Sequence, residues 1–164
     1  MQRTAEIGAL SPLLLTPTGE AQAYAFGHDP TPWFLFRRGI GRLCARRGTN
    51  WRPSTDIDTN WVSGACMMLR RSALDKVGGL DERIFMYFED NDLCLRLRAA
   101  GYRIVYSPDA QITHIGGQSM KHNPRAQVAY RDSLRYFYSK HYTALDRLLL
   151  RVLLPLYAAL TRGR

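Results

Sequence analysis

The sequence is poor in cysteine and has no long uninterrupted apolar segment. Its three cysteines, Cys44, Cys66 and Cys94, are far apart and form no CxxC pair, which argues against a zinc knuckle or a redox pair. An odd number of scattered cysteines is typical of a reducing compartment, where each is a small buried apolar residue. No long apolar run follows Met1-Gln2-Arg3, so we expect no signal peptide. With 8 prolines and 13 glycines among 164 residues, the sequence is neither fibrous nor of low complexity.

Acidic residues are also in the minority, at 14 against 23 lysines and arginines, which gives a formal net charge of +9. Residues 121–164 carry nine basic and two acidic residues, a net +7, whereas residues 1–120 carry 14 and 12, a net +2. An excess of positive charge indicates an anionic partner. Because the basic tail is interleaved with leucines and no nucleic-acid-binding motif is present, we expect an anionic membrane surface and no nucleic acid.

The leucine-rich segment 144–160 is interrupted by Arg147, Arg151 and Pro155. A membrane-spanning helix needs about 20 apolar residues with few charges, and this segment falls short of that. An interfacial amphipathic helix fits the pattern, with its arginines near anionic head groups. Packing of this helix against a protein partner is the alternative.

Hydrophobic patterning and turn residues predict a mixed α/β chain. The pattern favours apolar, strand-like runs at 7–10, 13–16, 21–26, 66–69, 84–88, 102–106 and 110–115. It favours helices at 70–77, 89–100, 123–142 and 145–160. Segment 33–47 fits a helix or a loop almost equally well, and segment 49–60 is expected to be irregular.

The most unusual segment carries three carboxylates within four residues, Glu89, Asp90 and Asp92, directly after an aromatic run. Like charges this close repel one another, and the N-terminus of a helix offsets the repulsion because it favours negative charge. Asp92 and Arg96 are four residues apart and are expected to pair. That pairing leaves Glu89 and Asp90 to face the space above the sheet edge. An ordinary acidic first turn is the alternative.

Several blocks of the sequence occur in the order and at the spacing of a known family. They are residues 61–71, 77–82, 85–96, 101–104, 108–110, 112–114 and 116–119. Together they resemble the family 2 glycosyltransferases, and within that family the rhamnosyltransferase-type branch. The resemblance implies a GT-A fold, a Rossmann-like α/β sheet that binds a nucleotide sugar, and transfer with inversion at the anomeric centre.

The resemblance also implies roles for individual residues. It makes Asp90 the base that deprotonates the acceptor hydroxyl, with Glu89 beside it, and His114 a ligand of a divalent metal, Mg²⁺ or Mn²⁺. Asp81-Glu82 is expected to cap a helix and to contribute to the acceptor side of the site. Arg96 is expected to have a structural role. The residues expected to contact substrate are Trp61, Gly64, Ala65, Asp81 and Glu82. Plain packing of the tryptophan and glycine, and an ordinary surface or core histidine, are the alternatives.

Relative to the family pattern, we expect residues 1–142 to form the C-terminal part of a GT-A domain, without its nucleotide-binding half, and residues 143–164 a basic amphipathic helix. Asp56-Ile57-Asp58 spells an Asp-x-Asp motif in the wrong place and is taken as a chance match, so metal affinity should be weak. The expected partners are a nucleotide-sugar donor, a cell-envelope glycan or lipid-linked acceptor, and a separate N-terminal half. The expected location is cytoplasmic, at the inner face of the plasma membrane. A non-catalytic membrane-associated module is the alternative.

Overall fold

The computed structural model describes residues 4–34, 50–116 and 125–161. In these ranges the strands are β1 (Ile7–Leu15), β2 (Phe26–Gly27), β3 (Ile57–Thr59), β4 (Trp61–Val62), β5 (Met68–Leu69) and β6 (Arg103–Thr113). The helices are α1 (Arg71–Val77), α2 (Glu89–Ala99), α3 (Ala126–His141) and α4 (Ala144–Thr161). The predicted segment 33–47 lies almost entirely outside the described residues.

A four-stranded mixed sheet in the order β3-β6-β1-β5 forms the centre of the fold. The central strands β1 and β6 are parallel, and β3 and β5 pair antiparallel to them at the two edges. Strands β2 and β4 form a separate antiparallel ribbon. This mixed α/β arrangement agrees with the expected fold class, part of a GT-A fold.

Two strands are longer than the sequence pattern predicts. Pro12 does not divide the first apolar segment, because β1 continues through it to Leu15. The predicted strands 102–106 and 110–115 are one strand, β6, and the gap between them is an irregularity in its register. Pro12 pairs with Ser107 and the next residue of β1, Leu13, already pairs with Gln111. The residues between Ser107 and Gln111 therefore bulge out of a continuous strand.

Three other expectations are corrected by the structure. Residues 57–59, taken as irregular, form β3 because they pair with β6 at the sheet edge. The aromatic run 84–88 is not a strand, since it bends before α2 with positive φ angles of 66° at Tyr87 and 69° at Phe88. Asp81-Glu82 does not cap a helix, because both residues lie in the turn that connects α1 to α2.

The helices match their predicted bounds closely. Helix α1 ends at Gly78, whose φ of 79° is readily adopted only by glycine. Helix α2 begins at Glu89, and the chain leaves it through Gly101 at φ 91°. Helix α3 begins at Ala126, and residues 123 and 124 of the predicted helix lie outside the described residues.

Two apolar clusters stabilise the fold. The larger one joins the sheet to one side of α2 and includes Leu13, Leu14, Leu93, Leu97 and Tyr106. The smaller one joins α3 to α4 through Leu134, Phe137, Tyr138 and Leu150, with Phe88 and Leu95 packed against it. Helix α2 contributes side chains to both clusters, so its position is fixed from two sides.

The described cysteines are free, and they differ in burial. Cys94 lies in the larger cluster, where burial raises the pKa of its thiol to about 12, as expected for a small buried apolar residue. Cys66 is only half-buried, contrary to the expectation for all three. Cys44 lies outside the described residues.

Candidate active site

The N-terminus of α2 places Asp90 beside the turn that follows β4. Its Oδ2 accepts a hydrogen bond from the Gly64 backbone N–H at 3.0 Å. Its Oδ1 accepts two more from Asn91, from the backbone N–H at 2.8 Å and from the side-chain amide at 2.9 Å. These donors fix the orientation of the carboxylate, which is a requirement for a base that must meet a hydroxyl in one geometry.

Glu89 lies next to Asp90 in a different environment. Its Oε2 is buried and has no hydrogen-bond partner among the described residues. Burial, and secondarily the neighbouring charge of Asp90, raise the pKa of the Glu89 carboxyl above its ordinary value. A buried carboxyl oxygen without a partner is costly unless a ligand completes its hydrogen bonding.

Both carboxylates open onto a cavity of about 250 Å³. Its other lining residues are Gly64, Met67, Leu69, Leu80 and Leu93. A Cβ added at Gly64 would lie 3.7 Å from Glu89 Oε1 and from Asp90 Cβ, so the glycine leaves this wall of the cavity open. A largely apolar pocket with a few convergent polar groups is the usual form of a small-ligand site.

Asp92 anchors the helix that carries the two carboxylates. Its buried side chain is 2.8 Å from Arg96 Nε, 2.7 Å from Lys140 Nζ and 2.6 Å from His141 Nε2. Burial alone would raise the pKa of Asp92, but hydrogen bonds from Lys140, His141 and Arg96 outweigh it and hold the pKa below its ordinary value. The predicted Asp92–Arg96 pair is confirmed, whereas no pattern in the sequence indicated the two partners on α3.

Arg96 and Asp81 both hold the loop that connects α1 to α2. Arg96 also donates to the backbone carbonyls of Val77, Gly78 and Gly79, in agreement with a structural role. Asp81 accepts hydrogen bonds from Lys140 Nζ at 2.7 Å and Tyr136 Oη at 3.0 Å. The Lys140 hydrogen bond is the main reason that the pKa of Asp81 falls to about 2. Asp81 thus ties its loop to α3, and Glu82 is exposed beside it.

Of the other residues expected to line the site, Trp61 packs within the β2–β4 ribbon. Its Nε1 donates to the backbone carbonyl of His28 at 3.0 Å, and its ring lies close against Gly27. Ala65 is exposed in the turn after β4, where its backbone N–H donates to Ser63 Oγ at 3.2 Å. The structure therefore brings Gly64 to the carboxylates, whereas Trp61 and Ala65 are not among the residues that line the cavity.

His114 follows β6 at the end of the sheet. Its Nδ1 lies 2.8 Å from Gln22 Oε1, which fixes the imidazole ring. Within residues 4–34, 50–116 and 125–161, no three His, Cys, Asp or Glu side chains come together as metal ligands. The carboxylate of Asp58, in the Asp-x-Asp sequence, is held instead by Arg103 at 2.8 Å. The described residues therefore do not by themselves form a metal site.

Helix α4 has an exposed apolar stripe. Leu145, Leu148, Leu149 and Val152 are all solvent-exposed, and their i, i+3, i+4, i+7 spacing places them on one side of the helix. Leu150 packs against α3 on the other side. Among the described helices, none combines the length and apolar character needed to cross a bilayer.

Comparisons with known proteins find that this chain is similar to glycosyltransferases. The L-rhamnosyltransferase of Mycobacterium tuberculosis that acts on N-acetylglucosaminyl-diphospho-decaprenol is 35% identical over 142 residues, which cover 80% of this chain and 45% of that protein. The Escherichia coli rhamnosyltransferase WbbL is 43% identical over 60 residues, covering 37% of this chain and 23% of that protein. The Haloferax volcanii hexosyltransferase Agl10 is 32% identical over 97 residues, covering 58% and 29%. The chain thus spans less than half the length of these relatives.

A family model described as "Glycosyltransferase like family 2" matches residues 52–137, which include both carboxylates and most of the described fold. This match spans about half of the chain, and it agrees with the resemblance found in the sequence blocks. The chain therefore belongs to the family-2-like glycosyltransferases.

Proposed function

We propose that the chain provides the acceptor-activating site of an inverting sugar transferase. The single observation that carries the proposal is the Asp90 carboxylate, which is oriented by Gly64 and Asn91 at the wall of a cavity of about 250 Å³. An oriented carboxylate at an apolar pocket can take a proton from a bound hydroxyl. The family match supports this role for Asp90, because these proteins transfer sugars.

In the proposed reaction, Asp90 accepts the proton of the acceptor hydroxyl. The freed oxygen attacks the anomeric carbon of the donor sugar, the bond between that carbon and the donor phosphate breaks, and the nucleoside diphosphate leaves with the electron pair. A single displacement inverts the configuration at the anomeric carbon. Glu89 lies beside it at the cavity wall, where its buried Oε2, which has no partner among the described residues, can form a hydrogen bond with the bound sugar.

The substrate class follows from the relatives. Two of them are rhamnosyltransferases, and one acts on a sugar linked through a diphosphate to decaprenol. We therefore propose a nucleotide-sugar donor, with rhamnose as the first sugar to test, and a cell-envelope glycan or lipid-linked acceptor. His114 is the one residue that we propose as a ligand of a divalent metal, and no step of the proposed reaction depends on that metal.

The proposal includes a location at an anionic membrane surface on the cytoplasmic side. The apolar stripe of α4 supplies the surface that would enter the interface, and Arg147 and Arg151 are exposed on the same helix. A lipid-linked acceptor requires such a location, because its lipid chain stays in the bilayer.

The test is transfer by the full chain from a panel of nucleotide sugars to lipid-linked glycan acceptors, with and without Mn²⁺. Asp90→Asn should lower the rate by at least about a hundredfold, because general-base catalysis contributes that much or more. Asp75→Asn is the matched control, since Asp75 is exposed on α1 and pairs there with Arg71. Equal rates in the two variants would refute the role of Asp90. A wild-type chain that transfers no sugar but still binds membranes would favour the non-catalytic module.

A further inference from the structure

A second and larger concavity lies outside the site described above. It is an open groove of about 930 Å³ between the loop that precedes α2 and the first three turns of α3. The loop contributes Arg83 and Phe85, and α3 with its first flanking residue contributes Arg125, Val128 and Tyr136. None of these residues lines the cavity beside Asp90.

The groove combines apolar surface with cationic side chains. Phe85 is 77% exposed and Val128 is 57% exposed, which is unusual for side chains of this kind in a folded domain. Arg83 and Arg125 line the same groove. Asp132 also lines it, and its carboxylate is 3.6 Å from Arg135 Nη1. The groove therefore suits a ligand with both an apolar part and a strong negative charge.

The walls of the groove are held in place by hydrogen bonds between the loop and α3. Ser133 Oγ donates to the backbone carbonyl of Met86 at 2.8 Å. Tyr136 Oη donates to Asp81 at 3.0 Å and accepts from Arg83 Nη1 at 3.3 Å. These bonds fix the groove before any ligand arrives, which lowers the entropic cost of binding.

The same loop also reaches the active-site cavity. Leu80, at its beginning, lines the cavity beside Asp90, and Arg83 and Phe85, a few residues later, line the groove. A ligand in the groove is thus held by the loop that leads directly into Glu89 and Asp90. We therefore assign the two places to one long acceptor, with its sugar at the carboxylates and its remaining part in the groove.

We propose that the groove binds the isoprenoid-diphosphate part of a lipid-linked acceptor, an inference that rests on the proposed function. The two arginines bind the phosphate oxygens, since guanidinium groups match phosphate with paired, charge-assisted hydrogen bonds. Phe85 and Val128 cover the first isoprene units, whose burial supplies the apolar share of the affinity.

Binding of farnesyl diphosphate to the full chain, measured by calorimetry without any donor sugar, tests the proposal. Arg83→Gln and Phe85→Ala should each weaken binding by about tenfold, as expected for the loss of a charge-assisted hydrogen bond or of a covered ring. Farnesol and inorganic diphosphate, which each retain one half of the ligand, should bind at least about tenfold more weakly than farnesyl diphosphate.

Two matched controls make the assay specific. Arg71→Gln removes an exposed arginine on α1, and Ile112→Ala removes an exposed apolar side chain on β6, and neither should change the affinity. Equal losses in the groove and control variants, or tight binding of phosphatidylglycerol vesicles that depends on Arg83 and Phe85, would overturn the proposal. If sugar transfer requires Asp90 but is unchanged by substitution of Arg83 or Phe85, the proposed ligand of the groove is refuted and the proposed function is not. Groove-dependent binding without any transfer would instead count against the proposed function.

Discussion

At the scale of single residues, the two neighbouring carboxyl groups differ because their surroundings differ. Asp90 meets three hydrogen-bond donors from Gly64 and Asn91. Glu89 keeps a buried oxygen without a partner among the described residues, and its pKa is raised by burial and by Asp90. A buried carboxyl oxygen without a partner lowers the stability of the free protein, and a ligand that hydrogen-bonds to it removes this cost. Such destabilised groups are common at functional sites.

We predict that Glu89→Gln stabilises the free protein at neutral pH by about 1 kcal/mol, because it removes a carboxylate that is poorly solvated and repelled by Asp90. A carboxyl whose pKa is raised on folding contributes its stability below its unfolded pKa of about 4.3, and that contribution is lost as the pH rises through the higher folded value. The gain should therefore be present at pH 7 and vanish near pH 4. Urea unfolding at both values measures it.

The control for this prediction is Glu20→Gln, which changes an exposed glutamate in the turn after β1. It should leave the free energy of unfolding within about 0.5 kcal/mol of wild type. A loss of stability in Glu89→Gln at pH 7 would show that the Glu89 carboxyl is satisfied in the folded protein.

At the scale of elements, the active-site helix is held from α3 by buried charge. Asp92 lies two residues after Asp90 and binds Lys140 and His141 near the end of α3. Burial of an ion pair is favourable only when each charged group keeps its partners, so this junction is sensitive to the loss of one member. The position of Asp90 therefore depends on an element that begins more than thirty residues later in the chain.

We predict that Asp92→Asn lowers the free energy of unfolding by about 3 kcal/mol, because it removes the buried negative charge that Arg96 and Lys140 both contact. Chemical denaturation followed by tryptophan fluorescence measures this change. Asp75→Asn breaks an exposed i,i+4 pair with Arg71 and should cost less than about 0.5 kcal/mol. Similar costs for the two substitutions would mean that the buried cluster does not hold α2 to α3.

At the scale of the whole molecule, charge and apolar surface meet on α4. The body of the chain is nearly balanced in charge, whereas residues 121–164 carry a net +7. The apolar stripe of α4 lies opposite the side that packs on α3. An anionic membrane surface would satisfy both features at once.

We predict that the full chain floats with vesicles that contain phosphatidylglycerol, and that the double substitution Leu145→Ser with Leu148→Ser weakens this binding by at least about tenfold, because two leucines leave the interface. Met68→Ser with Ile112→Ser is the matched control, since both side chains are exposed on the sheet. Higher salt should also weaken binding if Arg147 and Arg151 contact head groups. Equal flotation of the two double variants would exclude α4 as the membrane surface.

The local parts of this protein were determined by its sequence. The bounds of α1 and α2, their glycine ends and the Asp92–Arg96 pair follow from helical periodicity and from contacts four residues apart. The order of the family blocks likewise identified the family from sequence alone. These features were predictable because each depends on residues close together in the chain.

Only the tertiary structure decided which distant groups meet. Gly64 donates to Asp90 across 26 residues, and His141 meets Asp92 across 49. The sequence pattern of β6 predicted two strands, because the continuity of a strand across a bulge depends on its neighbour, here β1, and not on its own residues. The groove between Arg83 and α3 exists for the same reason: it is formed by the packing of two elements, and no local pattern specifies how two elements pack.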